Sequence, residues 1–554
     1  MDYKREFKRW LSNVTDNDLH TELVSMDDTT VEDAFYRDLA FGTGGLRGTI
    51  GAGTNRMNTY VVAKASQGLA NYLGTTASVV IGYDSRIKSD LFARTAASVF
   101  VANGLTVYLW SELNPVPTVS FAVRYLHASQ GVMITASHNP SKYNGYKVYG
   151  SDGCQITTDA AASILAEINA LDIFADVKSM DFEQAVAEGK IKYIDHSVLT
   201  AFIEEVKGQS VLYGDHIDRN VAIVYSPLNG TGLKPVTRAL SESGFTNITV
   251  VEEQRLPDGN FPTCPYPNPE IREAMELGLD YCQRVNADLL LATDPDADRC
   301  GIAVKDGKDY KLLSGNEVGL LLLDYICSQR QKHGCMPDNP VFVKTIVTMD
   351  LAEKIAKHFG VATINVLTGF KFIGEQIGLL EAVGRESDYI CGFEESYGYL
   401  TGSYVRDKDA VNAAFIICEM FAYYKTRGIS LLEKLEEIYN IYGYCLNTLH
   451  SYEFPGSAGV DKMNEIMKTF HVGMENIGDE KVIRTEDYLL GLNGLPKSDV
   501  LKYYFEGNEA TGSVVIRPSG TEPKLKAYIS VTAKNREAAG VIEQKITADL
   551  ERRL

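Results

Sequence analysis

The chain lacks the features that mark nucleic-acid-binding and membrane proteins. Its 54 lysines and arginines stand against 73 aspartates and glutamates, giving a net charge of −19, which disfavours non-specific binding to nucleic acid or anionic membranes. No apolar run approaches the roughly 20 residues of a membrane span, and the polar N-terminal sequence MDYKREFKRWLSNV has no signal-peptide core. We therefore expect a cytoplasmic protein with no nucleic-acid or membrane partner.

Paired cysteines and the common nucleotide-binding motifs are also missing. The nine cysteines are scattered, with no Cys-x-x-Cys pair, so we interpret them as mostly reduced, buried thiols of a cytosolic protein. The chain has no Walker A sequence. The glycine-rich segment FGTGGLRGTIGAG (41–53) is not a dinucleotide fingerprint, because Arg47 stands where the third glycine should be.

Length and composition are those of an ordinary globular protein. A chain of 554 residues predicts roughly three to five domains of about 100–200 residues each. Hydrophobic residues make up 45% and charged residues 23%, so the chain can bury a large core. The sequence indicates no particular oligomeric state.

One arrangement of a strand, a helix and a second strand recurs three times. The first strands are SVVIGY (78–83), VAIVY (221–225) and VFVKTIV (341–347), and the second are LTVYLW (105–110), FTNITVV (245–251) and VATINVL (361–367). A glycine precedes each second strand, at Gly104, Gly244 and Gly360, where it fits a helix C-cap. Although any α/β protein shows a similar rhythm, the pattern predicts three similar βαβαβ units.

The third strand of each unit ends in polar residues. These strands read GVMITAS, DLLLATD and DYICGFEES, so Ser137, Asp294 and Glu394 appear as each strand finishes. Ligands of open α/β sheets bind outside the carboxyl ends of the strands. We therefore expect the three units to deliver their loops to one shared cleft.

The last hundred or so residues differ from the three units. The segment GSVVIRPSGTEPKLKAYISVTA predicts two strands around a polar loop, and a helix is expected at about 536–552. This pattern indicates a small α+β domain at the C-terminus.

The segment DPDADR (294–299) places Asp294, Asp296 and Asp298 at alternate positions. Three carboxylates so close repel one another unless a cation neutralises them, and hard oxygen donors suit Mg²⁺. The alternative is an acidic turn with solvated side chains. An EF-hand is excluded, because loop position six would be Arg299 and position twelve Lys305.

The segment TASHNPSKYNGYKVYG (135–150) supplies a candidate nucleophile. Ser137 at a strand end can be phosphorylated and then offer a phosphate oxygen to a cation, and His138 and Lys147 could stabilise that phosphate or move protons. The alternative is that Ser137 only caps a turn, since Ser-His-Asn-Pro is ordinary turn composition.

Two further segments have the composition of phosphate-binding loops. The glycine-rich segment around Arg47 lets backbone N–H groups approach a phosphate, while the guanidinium adds a forked donor. In RPSGTEPK (517–524) the residues Arg517, Ser519, Gly520 and Thr521 can donate to one phosphate, with Lys524 close by. A flexible turn and an ordinary hairpin loop are the respective alternatives.

Three polar segments complete the candidates. GFEESYGYL (392–400) offers Glu394 and Ser396 to sugar hydroxyls, and LTGFK (367–371) offers Thr368 and Gly369. In VRDKD, Arg406 stands beside Lys408; a neighbouring cation and burial would both lower the pKa of the lysine, which suits a general acid or base. The alternative for GFEESYGYL is a strand end with a salt bridge, and the alternative for VRDKD is a run of solvated charges.

Four of these motifs, in this order, resemble the α-D-phosphohexomutase family over almost the whole chain. They are the phosphoserine loop TASHNP, the metal loop DPDADR, the sugar loop GFEES and the phosphate loop RPSGTEP. The resemblance implies a heart-shaped fold of four domains, with three mixed-sheet α/β domains and a C-terminal α+β domain. We place them at residues 1–205 (phosphoserine loop), 206–318 (metal binding), 319–440 (sugar recognition) and 441–554 (phosphate binding).

The resemblance also implies a role for each matching residue. Ser137 would be phosphorylated and would share one Mg²⁺ with Asp294, Asp296 and Asp298. The sugar would contact Glu394 and Ser396. The phosphate that is not transferred would bind Arg517, Ser519, Gly520 and Thr521. The reacting phosphate would be surrounded by Arg47, Lys147, Arg299 and Lys408.

The segments FGTGGLRG and GFEESYGYL most resemble the phosphoglucomutase branch, which overlaps the phosphopentomutases. This implies interconversion of glucose 1-phosphate and glucose 6-phosphate through phosphoserine 137, with glucose 1,6-bisphosphate as intermediate and activator; pentose and mannose phosphates are the alternatives. The phosphomannomutase-like branch often has a histidine just after the sugar-contacting serine. Here Tyr397 follows Ser396, which shifts the proton-transfer role toward Lys408.

Two other functions use the same residues. A metal-dependent phosphatase would need the cation and a water path but no phosphoserine. A non-enzymatic sugar-phosphate sensor would bind its ligand without Ser137. The complete set of motifs favours the mutase over both.

Overall fold

The first unit is built on a seven-stranded mixed sheet. A computed structural model describes residues 2–42, 44–454, 456–492, 494–519 and 524–554. Strand order is β1-β2-β6-β5-β3-β4-β7. The elements are α1 (Tyr3–Asn13), α2 (Asn17–Ser25), α3 (Asp28–Phe35), β1 (Phe41–Gly42), β2 (Gly45–Thr49), α4 (Thr59–Leu73), β3 (Ser78–Tyr83), α5 (Ser89–Ala102), β4 (Thr106–Leu109), α6 (Val116–Tyr125), β5 (Gln130–Ile134), β6 (Tyr143–Tyr149), α7 (Thr158–Ala170), α8 (Phe182–Ala187), β7 (Ile191–Tyr193) and α9 (His196–Gly208).

The second unit has a five-stranded sheet of order β12-β11-β10-β8-β9. Its elements are β8 (Ile223–Ser226), α10 (Leu233–Glu242), β9 (Ile248–Val250), α11 (Glu252–Arg255), α12 (Arg272–Val285), β10 (Leu289–Thr293), β11 (Cys300–Asp306) and β12 (Asp309–Leu313).

The third unit has a four-stranded sheet of order β14-β13-β15-β16. Its elements are α13 (Gly315–Lys332), β13 (Val341–Thr345), α14 (Leu351–His358), β14 (Ala362–Val366), α15 (Phe370–Glu381), a 3₁₀ turn (Glu386–Asp388), β15 (Tyr389–Glu394), β16 (Gly398–Thr401), α16 (Ala410–Thr426) and α17 (Leu431–Tyr442).

The fourth unit has a six-stranded antiparallel sheet of order β17-β22-β21-β20-β19-β18. Its elements are β17 (Tyr444–Glu453), α18 (Gly456–Val472), β18 (Asn476–Ile477), β19 (Glu480–Asp487), a 3₁₀ turn (Tyr488–Leu490), β20 (Leu501–Glu506), β21 (Ala510–Pro518), β22 (Lys524–Ala533) and α19 (Arg536–Arg553). The predicted hairpin and C-terminal helix are confirmed.

The first three sheets share one arrangement. The central strands follow the orders β4-β3-β5-β6, β9-β8-β10-β11 and β14-β13-β15-β16. The first three strands of each set are parallel and the last is antiparallel. The predicted threefold repeat and the α/β fold class are confirmed. The expected mixed sheets are also found, but the sequence did not predict that the antiparallel strand directly follows each functional loop and pairs with the strand before it.

Local sequence explains why these units form. The strands β5, β10 and β13 are buried along their whole length, as expected for strands covered by helices on both faces. Gly104, Gly244 and Gly360 have φ values of 88°, 89° and 71°, so they adopt the left-handed conformation of a helix C-cap as predicted.

One buried apolar cluster runs through all four units. It includes Trp110 of the first unit, Tyr225 of the second and Phe393 of the third. The fourth unit contributes a further set to the same cluster, namely Cys445, Tyr488, Val500, Val515 and Tyr528. The fourth unit also packs its sheet against α18 and α19 around a core of its own, which includes Met467, Phe470, Tyr503, Ile529 and Ile546. Apolar packing therefore joins the fourth unit to the other three.

Three expectations from the sequence concern the chain as a whole. The nine cysteines are free and all but Cys335 are buried, as expected. Within the described ranges, no helix has the length and apolar character needed to cross a membrane. The predicted domain boundaries after residues 205, 318 and 440 fall inside α9, α13 and α17, so the exact domain limits stay a prediction.

Candidate active site

The loops that follow β5 and β10 meet at Ser137 and Asp294. The Ser137 hydroxyl donates to Asp294 Oδ2 at 2.9 Å, although the two residues belong to different sheets. Both side chains are buried, with exposures of 3% and 0%. The carboxyl ends of these two strands thus form one polar centre.

The backbone around Ser137 is held in an uncommon conformation. Ser137 has φ of 51°, in the left-handed region that non-glycine residues rarely adopt. Its N–H donates to Thr135 Oγ1 at 2.8 Å, and its Oγ lies 3.2 Å from His138 Nδ1. Burial and the charges of Arg299 and Arg47 hold the pKa of His138 well below its usual range, so the imidazole is neutral.

Asp294, Asp296 and Asp298 form a buried acidic triad. Each offers a carboxylate oxygen, and these three oxygens lie within 4.8 Å of one another. The turn that gathers them passes through Ala297, whose φ is 47°. Asp294 Oδ1 accepts from the N–H groups of Asp298 at 3.1 Å and Arg299 at 2.9 Å.

The triad fits a divalent cation. Burial and the neighbouring carboxylates raise the pKa of Asp294 well above its usual value, which reflects the repulsion expected of three acids without a counter-ion. Asp296 Oδ1 and Asp298 Oδ1 are buried and find no hydrogen-bond donor in the part of the chain that the structure describes. A compact set of unsatisfied carboxylate oxygens is the donor set that hard cations prefer, so these residues can bind a metal.

Two lysines from different units lie against the triad. Lys147 Nζ on β6 is 3.0 Å from Asp296 Oδ2 and 3.4 Å from Asp298 Oδ2. Lys408 Nζ, in the loop before α16, is 3.0 Å from Asp298 Oδ2. Burial opposes ionisation of Lys147, but Asp296 and Asp298 outweigh it and raise its pKa. Although the protein is acidic overall, two ammonium groups therefore lie next to the acidic triad.

The expectation that Arg406 lowers the pKa of Lys408 was wrong. Arg406 is fully buried and donates instead to Glu381 Oε2 at 2.7 Å. Lys408 lies beside Asp298 and Asp407, at 3.0 and 3.6 Å. Burial lowers the pKa of Lys408, but these carboxylates outweigh burial and raise it above its usual value. Lys408 is therefore protonated in this arrangement.

Arg47 and Arg299 approach the centre from two further loops. Arg47 Nη1 on β2 donates to Asn139 Oδ1 at 3.1 Å, which ties the glycine-rich segment to the Ser137 loop. Arg299 lies 3.9 Å from Asp298 Oδ1 and forms an ion pair with Glu270. Both guanidinium groups lie close enough to His138 for their charges to lower the pKa of its imidazole.

The third unit contributes Glu394 from the end of β15. Gly369 N–H donates to Glu394 Oε1 at 3.0 Å, and Gly369 has φ of 120°, a value that favours glycine. Burial raises the pKa of Glu394 to about 7. Thr368 Oγ1 is buried without a hydrogen-bond partner among the described residues. Ser396 lies half-buried in the turn between β15 and β16.

The fourth unit contributes Arg517 at the end of β21. Its Nη2 donates to Tyr528 OH at 3.4 Å, and Ser519 N–H donates to Lys524 O at 2.7 Å. Gly520 and Thr521 lie outside the described residues, so their predicted roles are not tested. Among the described residues, Arg517 makes no hydrogen bond to the side chains around Ser137.

The fourth unit is attached to the third through Asp350. Asp350 Oδ1 accepts from Lys502 Nζ at 2.7 Å and from Lys344 Nζ at 3.1 Å, and Asp350 Oδ2 accepts from Ser513 Oγ at 2.6 Å. Lys502 and Ser513 come from β20 and β21, whereas Lys344 and Asp350 belong to the third unit. This buried polar joint fixes the sheet that carries Arg517.

Several residues at the centre were not found from the sequence. Thr135 Oγ1 lies 2.7 Å from Asp84 Oδ2 and 3.1 Å from Asp296 Oδ2. Tyr149 OH donates to Asp407 Oδ2 at 2.9 Å. Asp84 directly follows a first strand, so the strand-end argument used for Asp294 would have found it. The contact between Tyr149 and Asp407 joins distant segments and had no sequence signal.

Comparison with known families covers most of the chain. Family models described as "Phosphoglucomutase/phosphomannomutase, alpha/beta/alpha domain" I, II and III match residues 38–173, 200–307 and 314–442. Together these three segments span more than half of the sequence.

Related proteins match over nearly their full lengths. A phosphoglucomutase of Staphylococcus saprophyticus is 36% identical over 95% of this chain and 96% of its own. One of Staphylococcus epidermidis is 38% identical over 92% of this chain and 93% of its own.

Solved structures share the fold at low sequence identity. An exocytosis-sensitive phosphoprotein of Paramecium, described as a phosphoglucomutase in an open form, is 18% identical and has a TM-score of 0.70 over 94% of this chain and 95% of its own. A putative phosphomannomutase of Thermus thermophilus is 22% identical and has a TM-score of 0.69 over 93% and 99% of the two chains. The chain belongs to the phosphoglucomutase/phosphomannomutase family, the α-D-phosphohexomutases, and is an intramolecular phosphotransferase.

Proposed function

We propose that this enzyme interconverts glucose 1-phosphate and glucose 6-phosphate through a phosphoryl group carried on Ser137. The observation that carries the proposal is the 2.9 Å contact between Ser137 Oγ and Asp294 Oδ2. A phosphate on that oxygen would lie beside the acidic triad and within reach of Lys147 and Arg47. Transfer of a phosphoryl group needs a metal cation and flanking positive charge. The acidic triad offers ligands for the cation, and Lys147 and Arg47 offer the positive charge.

The metal in this proposal is one Mg²⁺ held by Asp294, Asp296 and Asp298 with an oxygen of phosphoserine 137. Bound there, the ion would neutralise charge on the phosphoryl oxygens and lower the pKa of the neighbouring ammonium groups. The triad consists only of carboxylate oxygens, which favours Mg²⁺ over metals that prefer nitrogen or sulfur ligands.

The reaction needs two transfers on one sugar. A free hydroxyl of glucose monophosphate attacks the phosphorus of phosphoserine 137; the new P–O bond forms as the bond to Ser137 Oγ breaks, giving glucose 1,6-bisphosphate. The bisphosphate turns over, and its other phosphoryl group returns to Ser137 Oγ. Protonated Lys147 stabilises the transferring group. A cation on the triad would lower the pKa of Lys408; in its neutral form Lys408 accepts the proton of the attacking sugar hydroxyl, and it returns a proton to the sugar oxygen in the reverse transfer. Neutral His138, 3.2 Å from Ser137 Oγ, can hold the proton of the serine hydroxyl.

The remaining residues hold the sugar in either orientation. Glu394 has Oε1 fixed by the Gly369 N–H, and we assign its carboxylate and Ser396 to the sugar hydroxyls, with Thr368 beside them. Arg517 and Ser519, with Gly520 and Thr521, bind the phosphate that is not being transferred. Because the groups that bind the sugar hydroxyls would lie midway between two phosphate sites, the bisphosphate can bind with either of its phosphates next to Ser137.

Substrate choice is tested by steady-state kinetics with glucose 1-phosphate, ribose 1-phosphate and mannose 1-phosphate, each with its bisphosphate activator. The phosphoglucomutase names of the relatives support glucose phosphate, so kcat/KM for glucose 1-phosphate should be the highest. A higher kcat/KM for the pentose or mannose compound would replace glucose as the substrate and leave the phosphoserine route in place. Ser137→Ala serves as the control for background turnover.

A further inference from the structure

Arg86 is a buried arginine whose guanidinium is directed at the loop that carries Ser137. Its exposure is 3%. Nη1 donates to Pro140 O and to Tyr143 O, each at 3.0 Å, and Nη2 donates to the carbonyl oxygens of Ser137 and Asn139. One side chain therefore binds three carbonyl groups of this loop and a fourth at the first residue of β6.

Regular backbone pairing leaves part of this loop unsupported. Residues 135–142 form neither a helix nor a strand. The carbonyl groups of Ala136, Pro140 and Lys142 each accept one backbone N–H, at 3.1, 3.0 and 2.8 Å, whereas those of Ser137 and Asn139 accept none from the backbone of the described residues. Ser137 also adopts φ of 51°, a conformation that is unfavourable for a non-glycine residue. The buried part of the loop, residues 135–137, keeps one shape only if its polar groups are satisfied by rigid partners.

Asp84 connects Arg86 to the reacting centre. Asp84 Oδ2 lies 3.6 Å from Arg86 Nε and accepts from Thr135 Oγ1 at 2.7 Å. Thr135 Oγ1 in turn accepts the Ser137 N–H at 2.8 Å. The ring of Phe261 covers the guanidinium, with 5.2 Å between its centroid and Arg86 Cζ. Both ends of the Ser137 backbone, its N–H and its carbonyl, are thus fixed by one connected set of side chains.

Only a guanidinium suits this position. It presents five donors in a planar fork, whereas a lysine ammonium presents three donors from one atom. Because a peptide group is planar and trans, directing the Ser137 carbonyl at Arg86 turns the His138 N–H to the opposite side. That N–H is then available to an anion outside the loop.

We propose that Arg86 is a positioning residue for phosphoryl transfer, acting with Asp84 and Thr135 to hold Ser137 Oγ against Asp294. The proposal rests on the proposed role of Ser137 as phosphoryl carrier. A loosened loop would leave the phosphoserine out of line with the sugar hydroxyl, and misplacement by about 1 Å can cost roughly 100-fold in rate. Water needs no such alignment, so transfer of the phosphoryl group to water would compete better.

The test compares Arg86→Lys with Arg56→Lys. Arg56 also binds backbone carbonyl groups, those of Asp33 and Asn55 at 3.3 and 3.0 Å, but none of its partners belongs to the site. We expect R86K to lower kcat about 100-fold, to change KM for glucose 1-phosphate less than about threefold, and to raise phosphate release per turnover at least about tenfold. R56K should match the wild type in all three. Wild-type kcat and phosphate release in R86K would overturn the proposal.

A second pair of variants guards against misfolding of R86K. Thr135→Val removes the hydroxyl between Asp84 and the Ser137 N–H at almost constant volume, and Thr135→Ser restores it. We expect a drop in kcat for T135V and recovery in T135S; equal kcat in both would overturn the proposal. Intact mass of the wild type after incubation with glucose 1,6-bisphosphate separates the two claims. Absence of phosphate on Ser137 would overturn the proposed function and the role of Arg86 together, whereas a phosphorylated R86K with wild-type kinetics would overturn the role of Arg86 alone.

Discussion

Ser137 Oγ and Asp294 Oδ2 lie 2.9 Å apart across the junction of two sheets. The contact joins the end of one βαβαβ unit to the corresponding end of the next, and Glu394 ends the third. A hydrogen bond from a serine hydroxyl to a carboxylate is common and by itself indicates no chemistry. The Asp294 carboxylate, however, belongs to a triad with unsatisfied buried oxygens and two adjacent lysines. A phosphate on Ser137 would therefore complete a cation site, and the cation would offset the repulsion between the phosphate and the carboxylates.

The acidic triad should make activity metal-dependent. Asp296→Asn removes one charge from the triad, and we expect it to lower kcat at least about 100-fold, in the range found when a transition-state electrostatic contact is lost. EDTA should abolish wild-type turnover and Mg²⁺ should restore it. The control is Asp324→Asn, since Asp324 is also buried and paired with a lysine, at 3.0 Å from Lys434. Full activity of D296N in EDTA would contradict the metal role.

Arg517 should act on substrate binding more than on the chemical step. Loss of a charge-assisted hydrogen bond costs about 1.5–3 kcal/mol, so Arg517→Ala should raise KM for glucose 1-phosphate roughly 10–100-fold. Arg484→Ala is the control, because Arg484 also contacts a tyrosine of the same sheet, with 3.7 Å between Arg484 Cζ and the ring centroid of Tyr504. An unchanged KM in R517A would place the distal phosphate elsewhere.

Glu394 should give the enzyme a pH dependence near neutrality. Burial raises its pKa to about 7, and only the ionised carboxylate accepts hydrogen bonds from two sugar hydroxyls. As pH falls below 7, kcat/KM should drop by up to about tenfold per pH unit. The substrate phosphate also titrates near pH 6, so the informative quantity is the difference between wild type and Glu394→Gln. Parallel pH profiles for the two proteins would exclude Glu394 as the titrating group.

His471 should make the stability of the fourth unit depend on pH. Its Nδ1 and Nε2 lie 2.8 Å from Asp487 Oδ2 and Asp499 Oδ1. Burial lowers the pKa of His471, but the two aspartates outweigh it and raise the pKa above 6.5. The stabilisation is therefore complete below pH 6.5 and is lost as pH rises through the raised folded-state pKa. We expect His471→Gln to cost about 1–2 kcal/mol at pH 6 and less at pH 9, measured as the difference in unfolding free energy from the wild type. An equal cost at both pH values would contradict this account.

The sequence predicted the parts of the fold that depend on local pattern. Strands such as LLLAT of β10 are buried on both faces, so they read as continuous apolar runs. The polar residues Ser137, Asp294 and Glu394 stand out against those runs. Glycines such as Gly104 mark helix ends because their φ values require glycine.

The sequence could not show relationships that depend on packing between distant segments. The antiparallel strand β6 carries Lys147 and Asn144 among apolar residues. These polar side chains interrupt the pattern of apolar residues by which a strand is recognised in a sequence. The pKa of Lys408 follows from Asp298, more than a hundred positions away in the chain, and not from its neighbour Arg406. The carbonyl contacts of Arg86 likewise depend on how a loop closes over it.

The most direct test is the mass of the protein and of Ser137→Ala after incubation with glucose 1,6-bisphosphate and Mg²⁺, followed by addition of glucose 1-phosphate. We expect one phosphate on the wild type, located on Ser137 by peptide mapping and lost to the sugar on addition of glucose 1-phosphate. The S137A variant should stay folded, take up no phosphate and turn over the substrate orders of magnitude more slowly. Wild-type turnover by S137A, or phosphate located on another residue, would contradict the account.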